Sequence, residues 1–520
     1  MLKRKKMIGN RLAYLVLLCF IISCKNYKRN TSYLEVSNSA IRKGDKLAQQ
    51  YCQSCHLLPD PSMLDAKTWE EGVLPAMGPR LGIFSHFYRN YPNAKRDTNL
   101  DSNYYPSSPL IDHQEWQNII DYYTATAPDS LLPTKNNLLV TEGLPNFKII
   151  RTDFKVVSPT SSIVKIDTAT HQFLLADLFT QYLYRFDKNF RLIDSINTKA
   201  ALVDIEYTNN KMLFCNIGEI NPNNKKLGTA NLVTINKNGT LKVDSTAFLT
   251  HLARPVQIVS SDFNKDGITD YLVCEFGFLQ GSLSIYKGSA NNNFVKQIIS
   301  YKPGAEKVYV QDYNNDGLPD IWALFAQGDE GISLFTNKGN GQFEEKRVLR
   351  FPPMYGSSFF ELVDFNKDGF QDIIYTCGDN ADYSQVLKPY HGIYIYLNDG
   401  KNNFTQKYFY PMNGCYKALA RDYDNDGDLD IAAISFFADY ASKKEEGFVY
   451  LKNEGNLLFK PFSLPESREG RWLTMDAGDL DGDGKVDLVL GNFSYGPVMM
   501  KPKVDWEKGA SFLFLKNMGK

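Results

Sequence analysis

One acidic pattern of nine residues recurs five times and constrains the fold of this chain more than any other feature. Each copy reads Asp-x-Asp/Asn-x-Asp-Gly-x-x-Asp, and the copies begin at Asp262, Asp312, Asp364, Asp422 and Asp479. Consecutive copies start 50 to 58 residues apart. A fixed period of this length is typical of one supersecondary unit repeated along the chain.

The residue types of the pattern suit a hard cation. Oxygen-bearing side chains stand at positions 1, 3, 5 and 9, and glycine at position 6 permits a sharp turn. Calcium is favoured over magnesium because it accepts a flexible cage of many oxygens. We therefore expect about five Ca2+ ions. The predicted ligands are Asp262, Asn264, Asp266, Asp270, Asp312, Asn314, Asp316, Asp320, Asp364, Asn366, Asp368, Asp372, Asp422, Asp424, Asp426, Asp430, Asp479, Asp481, Asp483 and Asp487.

An EF-hand does not explain these loops. It requires a glutamate at position 12 and a helix on each side. Position 12 is instead occupied by Val273, Ala323, Tyr375, Ala433 and Leu490, and a β-like apolar run follows each loop. A metal-free Asx turn stays open as an alternative.

The five copies resemble the FG-GAP, or VCBS, repeats of integrin-type β-propellers. The resemblance implies that each acidic loop joins the first two strands of a four-stranded blade. Two weaker copies, around residues 163–176 and 202–214, lack the carboxylate spacing. Together they predict an all-β propeller over residues 146–520 with seven blades, while six and eight remain alternatives. The segment Phe147-Lys-Ile-Ile150 is predicted to supply the last strand and close the ring, which removes exposed edges.

A second motif, Cys52-Gln-Ser-Cys55-His56, has the spacing of a c-type haem attachment site. Cysteines three apart on a helical turn can reach both vinyl groups of a porphyrin, and the histidine can bind the iron. A redox dithiol, a disulfide or half of a zinc site are the competing interpretations. The residues around the motif resemble class I cytochromes c over residues 40–128, which implies a small all-α haem domain at 39–130.

The same resemblance predicts a final helix and a methionine as sixth iron ligand. Asp112 and Glu115 form a capping-box pattern ahead of an apolar helical face. That face is formed by Trp116, Ile119, Ile120 and Tyr123. Met77 is the predicted sixth ligand. Its competitors are Met63, His86 and His113, and a purely structural role in the core is also open for Met77.

The N-terminus has the pattern of an export signal. A basic stretch containing Lys3 and Arg11 precedes the apolar run Leu12 to Ile22, which is too short to cross a bilayer. The run ends at Ser23-Cys24, which resembles a bacterial lipobox, whereas Cys19 fits less well. This predicts a signal peptide at 1–24, lipidation of Cys24, a tether at 25–38 and an outer-membrane anchor facing the periplasm. An ordinary signal peptide is the alternative.

The charge balance bears on nucleic-acid binding, and the positions of the cysteines bear on disulfide pairing. The 58 basic and 59 acidic residues give no support for nucleic-acid binding. The other four cysteines of the exported part, Cys215, Cys274, Cys377 and Cys415, are either free thiols or paired.

These features predict a membrane-anchored electron carrier with one covalent haem c. The propeller, joined to the haem domain by a linker at 131–145, would serve as a docking platform for an unidentified redox partner or for a protein or carbohydrate ligand. The alternatives are a quinohaemoprotein-like dehydrogenase of a sugar or alcohol, with His251 and Arg254 as candidate catalytic residues, and a cell-surface adhesin or glycan-binding propeller.

Overall fold

The fold is known from a computed structural model of the chain. The residues that it describes are 30, 36–133, 138–208, 211–236, 240–244, 246–291, 293–381, 383–443, 445–497 and 504–519. Cys19 and Cys24, and with them the predicted export signal, lie outside these residues.

Seven four-stranded antiparallel sheets form a seven-bladed β-propeller, as the repeats predict. Each blade is numbered here in chain order, and its strands are given from the channel outward. Their bounds are as follows: blade 1, Ser161–Asp167, Gln172–Asp177, Tyr182–Asp187 and Leu192–Asn197; blade 2, Leu202–Thr208, Lys211–Asn216, Gly228–Ile235 and Leu241–Val243; blade 3, Pro255–Ser261, Asp270–Glu275, Ser282–Gly288 and Phe294–Ser300; blade 4, Ala305–Gln311, Asp320–Phe325, Gly331–Asn337 and Phe343–Arg350; blade 5, Ser357–Val363, Asp372–Cys377, Gly392–Asn398 and Phe404–Pro411; blade 6, Cys415–Arg421, Asp430–Ser435, Phe448–Asn453 and Phe459–Ser463; blade 7, Trp472–Gly478, Asp487–Asn492, Phe512–Asn517 and Phe147–Ile150. Two short strands, Leu249–Leu252 and Thr141–Glu142, add to blades 2 and 6.

The closing strand is confirmed. Phe147–Ile150 pairs antiparallel with Phe512–Asn517, so the start of the propeller segment completes the sheet in which the chain's last strand lies. The ring of Phe147 lies 5.8 Å from that of Tyr423 and 5.7 Å from that of Tyr450. Closure half-buries this strand and pairs the edge of the strand Phe512–Asn517.

Apolar strands in the middle of each blade make the core. All six residues of Asp270–Glu275, Asp320–Phe325, Asp372–Cys377, Asp430–Ser435 and Asp487–Asn492 are buried. Each of these second strands begins at position 9 of an acidic loop, so strands and not helices follow the loops. Because both sides of such a strand pack on neighbouring blades, it is continuously apolar instead of alternating.

A helical region precedes the propeller. Its helices are α1 (Asn38–Tyr51), α2 (Ala66–Thr68), α3 (Leu74–Met77) and α4 (His113–Thr126). A π-helical turn at Trp69–Val73, 3-10 turns at Cys52–Ser54, Pro61–Met63 and Gly78–Leu81, and a hairpin of Ser85–His86 with Arg89–Asn90 complete it. Two further 3-10 turns, Pro465–Arg468 and Trp506–Lys508, belong to the propeller.

The two long helices, α1 and α4, pack closely against each other. A Cβ on Gly44 would lie 1.9 Å from the carbonyl oxygen of Asn118, so only glycine fits at this crossing. The capping box is confirmed, since Asp112 accepts from the backbone N–H of Glu115 at 2.7 Å and Glu115 reaches back to Asp112. The predicted apolar face of α4 is buried. Most of the other helices are single turns, and the assignment of this region to a cytochrome stays a prediction.

No helix among the described residues is both long and apolar enough to cross a bilayer.

Candidate functional site

The two faces of the ring carry different features. Consecutive strands of a blade run antiparallel, so connections between first and second strands lie at one face. Connections between second and third strands, and those between blades, lie at the other. We call the first the acidic-loop face, since all five acidic loops lie there, and the second the helical face, for the reason given next.

The helical region docks on the second face. The hydroxyl of Tyr390, in the long second-to-third connection of blade 5, donates to the carbonyl oxygen of Met63 at 3.2 Å. The backbone N–H of Asp101 donates to Gln280 of blade 3 at 3.1 Å, and Asn224 of blade 2 donates to Asp97 at 2.8 Å. Met354, Val386 and Tyr390 of blade 5 also join the apolar core of the helical region. Blades 2, 3 and 5 thus support it together.

The Cys52-x-x-Cys55-His56 motif lies where α1 ends. Cys52 is half-buried at the start of a 3-10 turn and packs against the helical core, while Cys55 is exposed. Both thiols are free. Burial, followed by the nearby Cys55, raises the pKa of Cys52 to about 12. A redox dithiol needs a lowered thiol pKa, so this environment disfavours that interpretation.

His56 is oriented as a metal ligand would be. Its Nδ1 lies 2.8 Å from the carbonyl oxygen of Leu57, so Nδ1 carries the proton in that bond and Nε2 keeps a lone pair. Burial lowers the pKa of His56, partly opposed by the bond to Leu57 and by Asp329 of blade 4. Arg350 and Arg80 lower the pKa further. The imidazole is therefore neutral near pH 7, which iron ligation requires.

The four candidates for the sixth iron ligand have different surroundings in the structure. Met77, at the end of α3, and Met63 are half-buried against the same core as Cys52. His86 is engaged elsewhere: its Nε2 lies 2.7 Å from Oε1 of Gln117 and its Nδ1 lies 3.4 Å from Nδ1 of His113. The rings of His86 and His113 stack on each other, while the choice between Met77 and Met63 as sixth ligand stays a prediction.

The acidic loops share one internal geometry. In blade 3, the carboxylate of Asp262 accepts from the backbone N–H groups of Asp266 at 3.2 Å and Gly267 at 2.9 Å. Corresponding bonds recur in the other four loops. These bonds curl the loop around its own carboxylates. In blades 6 and 7, oxygens of the first three acidic positions lie within 4.8 Å of one another, close enough to share one cation.

The aspartate at position 9 also fastens the loop to the blade. Asp270 accepts from the backbone N–H of Phe263 at 3.1 Å and from that of Gly288, on the third strand, at 2.9 Å. Asp487 accepts in the same way from Leu480 and Asn517. Burial raises the pKa of Asp430 and of Asp487 to about 6.

Lysines accompany the two loops that have aspartate at position 3. In blade 6, Nζ of Lys452 lies 2.5 Å from the buried carboxylate of Asp424, and in blade 7 Lys516 pairs with Asp481. Blades 4 and 5, with asparagine at position 3, carry Thr336 and Leu397 at the aligned position of the third strand, but blade 3, also with asparagine, carries Lys287 there. In blades 6 and 7 the ammonium group offsets the additional negative charge of the aspartate. The sequence alone does not indicate these pairs, because the lysine also occurs where position 3 is asparagine.

The proposed catalytic pair of the dehydrogenase alternative does not form a site. The guanidinium of Arg254 donates to the backbone carbonyls of Gly277 and Ile220, so it holds two connections together. His251 is exposed, with Nδ1 2.9 Å from the hydroxyl of Thr250. The two side chains therefore have separate structural surroundings.

The thiols of the propeller are structural. Cys215, Cys274, Cys377 and Cys415 are all buried and free, which settles the choice left open by the sequence. Burial raises the pKa of each of them. They are inert members of the core.

Comparisons with known proteins agree with the propeller. The model of the FG-GAP-like repeat matches residues 262–323 and 312–375. The chain carries FG-GAP-like repeats. Cartilage acidic protein 1 of Mus musculus is 28% identical over 185 residues, which cover 34% of this chain and 27% of that protein. A T-cell immunomodulatory protein homolog of Plasmodium falciparum is 28% identical over 161 residues, or 27% of this chain and 21% of that protein. The chain thus matches less than a third of the length of these relatives.

Solved structures resemble it in part. A virginiamycin B lyase from Staphylococcus aureus superposes with a TM-score of 0.44 at 11% identity, over 71% of this chain and 98% of that one. The N-terminal domain of Nup159 does so with a TM-score of 0.43 at 9% identity, over 74% and 98%.

Proposed function

We propose that this protein is an exported electron carrier with one haem c, attached through Cys52 and Cys55 and ligated by His56. One observation carries the proposal: two free cysteines, three residues apart at the end of a packed helix, are followed by a neutral histidine whose Nδ1 is anchored. The propeller is the platform on which the haem region rests and against which a redox partner docks.

The thiols suit attachment better than redox cycling. Each thiol would add across a vinyl group, with sulfur bonding to one carbon and the thiol hydrogen going to the other, so the step needs no oxidant. Cys52 lies at the edge of the helical core, where Leu47, Tyr51 and Leu58 are also partly buried and would be available to contact a bound macrocycle. An apolar surface of this kind favours binding of a large flat macrocycle.

The iron would be closed on both sides. His56 supplies one ligand and Met77 the other, with Met63 as the competitor because both methionines border the same core. A haem with histidine and methionine ligands exchanges single electrons at a raised potential. Leu57 would orient His56 through its carbonyl oxygen, and with both ligands bound no coordination position would remain for a substrate.

Lipidation of Cys24 would place the protein on the outer membrane, facing the periplasm. The lipobox-like sequence supports this, and so does haem c itself, since its attachment belongs to exported proteins. A redox protein with a complementary surface is the expected partner.

The five acidic loops would bind about five Ca2+ ions as structural ligands of the propeller. Their support is the shared loop geometry and the convergence of carboxylates in blades 6 and 7. A dication would offset the repulsion between carboxylates, about 4 kcal/mol for a pair at 4 Å near a protein surface. The position-9 aspartates would then serve both the ion and the backbone N–H groups that they already bind.

The experiment is expression of the full chain in a host that matures c-type cytochromes, followed by mass spectrometry of the denatured product. We expect a mass increase of one iron protoporphyrin that survives denaturation. The variant Cys52→Ala/Cys55→Ala should lose it, and the control Gln53→Ala, between the two cysteines, should keep it. A wild-type chain without the added mass, from a host that attaches haem to a known cytochrome, would refute the proposal.

A further inference from the structure

A cavity lies on the helical face, between blades 5 and 6. Its volume is about 250 Å³. Four segments meet around it: the start of the linker at Leu131 and Pro133, the connection Leu387–His391, the connection Pro411–Asn413, and the loop that carries Asp439 and Lys443. Because the segments come from distant parts of the chain, no local pattern in the sequence indicates the cavity.

A buried histidine without a partner lines this cavity. His391 is 1% exposed, and its Nε2 finds no hydrogen-bond partner among the described residues. A buried polar atom without a hydrogen-bond partner lowers the stability of the folded state. Burial and the neighbouring Lys388 lower the pKa of His391, so the ring is neutral and can donate one hydrogen bond. The cost is recovered if a ligand supplies the missing acceptor.

The cavity is lined by charged side chains on one part of its surface and by apolar side chains on another. Its charged lining residues are Lys388, Lys443 and Asp439. Lys388 also donates to Oδ1 of Asn380, and Nζ of Lys443 lies 3.3 Å from a carboxylate oxygen of Glu446. Lys388 is 2% exposed, and Lys443 lies at the rim with 38% of its side chain exposed. The apolar part consists of Leu131, Pro133, Leu387, Pro389, Pro411 and Met412.

We propose that this cavity binds a small organic carboxylate. The imidazole Nε2–H of His391 would donate to one carboxylate oxygen, the two lysines would offset the charge, and the proline-lined wall would hold a short apolar or aromatic body. The volume is slightly below the range of pockets for drug-sized ligands, about 300–1,000 Å³, so the ligand is small. This site is independent of haem attachment, because none of its lining residues belongs to the Cys52–His56 motif.

The test is isothermal titration of the purified full-length chain with benzoate, its neutral isostere benzamide, and inorganic phosphate. We expect saturable binding of benzoate and at least tenfold weaker binding of benzamide, which lacks the charge. Phosphate, which lacks the apolar body, should also bind at least tenfold more weakly. Equal binding of benzoate and benzamide, preferential binding of phosphate, or no saturable binding of benzoate would overturn the proposal.

Variants locate the site. Lys443→Met, at the rim, should weaken benzoate binding at least threefold, and His391→Leu should weaken it at least tenfold; circular dichroism of both variants checks that they fold. Lys407→Met is the matched control, because Lys407 is exposed on the outer strand of blade 5. If circular dichroism shows that His391→Leu does not fold, the proposal is still tested by Lys443→Met and by the comparison of benzoate with benzamide. Unchanged affinity in Lys443→Met would exclude this cavity as the site.

Discussion

The two faces of the propeller differ in how they are built. On the acidic-loop face, one nine-residue pattern makes the same turn five times with the same backbone hydrogen bonds. On the helical face, connections of unequal length meet a region that does not repeat, and each contact occurs once. The repeated face consists of uniform turns, while the other brings together single side chains, such as His56 and His391, whose surroundings do not recur in the chain.

Removal of metal should have the largest effect and should act through the acidic-loop face alone. Each bound ion stabilises the fold by RT ln(1 + [L]/Kd), about 2.7 kcal/mol when free Ca2+ is 100 times its Kd. Chelation is therefore expected to lower the melting temperature markedly, and Ca2+ should restore it. Asp316→Ala, in blade 4, should reduce the number of bound ions by one in elemental analysis. A melting curve that chelator leaves unchanged would show that the turns hold without metal.

Loss of the closing strand should affect both faces equally. Phe147→Ala removes a half-buried ring that packs against Tyr423 and Tyr450, so the loss of stability should stay below that of a fully buried phenylalanine, about 3–5 kcal/mol. Chemical denaturation of the full chain measures the change. Lys148→Ala, on the exposed side of the same strand, is the control and should be near neutral. If the two variants are equally stable, the strand does not close the ring in solution.

The stability of the fold should depend on pH through Glu330, a buried carboxyl group on the helical face. Burial raises the pKa of Glu330 to about 8, although Ser357 and Gly356 donate to it. The folded state therefore keeps a proton that the unfolded chain loses near 4.5. This contribution to stability is complete below pH 4.5 and is lost as the pH rises through 8. The free energy of unfolding should fall by up to about 1.4 kcal/mol per pH unit in that window.

The control for this prediction lies in the same blade. Glu330→Gln should make the fall of stability with pH shallower by the contribution of this one group, whereas Glu344→Gln, on the exposed outer strand, should leave the profile of the wild type. Parallel profiles for all three proteins would mean that Glu330 ionises normally.

The contact between Tyr390 and Met63 should have a smaller effect. Tyr390→Phe removes one hydrogen bond between the propeller and the helical region, worth about 1 kcal/mol. Hydrogen exchange should then become faster in residues 59–64 and stay unchanged in the acidic loops. Tyr408→Phe, whose hydroxyl has no partner among the described residues, is the matched control. Equal exchange in both variants would indicate that the helical region does not rest on Tyr390.

The lysine of blade 6 should have the smallest effect and refine the first prediction. Lys452→Met leaves the buried carboxylate of Asp424 without its ammonium partner. We expect lower stability in chelator and several-fold tighter binding of Ca2+ to this loop, because the cation no longer competes with the lysine. Lys287→Met, at the aligned position of blade 3, changes no such pair. Weaker Ca2+ binding in Lys452→Met would mean that the lysine supports the metal site.

The sequence predicted the repeated face well and the helical face poorly, for a physical reason. The turn from Asp262 to Gly267 and the helix cap at Asp112 depend on residues a few positions apart, so both can be predicted from the sequence. Closure by Phe147–Ile150 follows from counting strands. The docking of Met63 on Tyr390 joins residues 327 positions apart. Such contacts depend on shape complementarity between two finished units, which leaves no periodic signal in either.

The most direct test of the central proposal is the absorption spectrum of the purified, oxidised full-length protein in the visible and near-infrared. Thioether-linked haem at Cys52 and Cys55 with axial His56 and Met77 predicts a c-type spectrum and a methionine-to-iron charge-transfer band. That band should disappear in Met77→Ala and persist in Met63→Ala. A c-type spectrum without the band would refute methionine ligation, and a chain without any haem absorption would contradict the account.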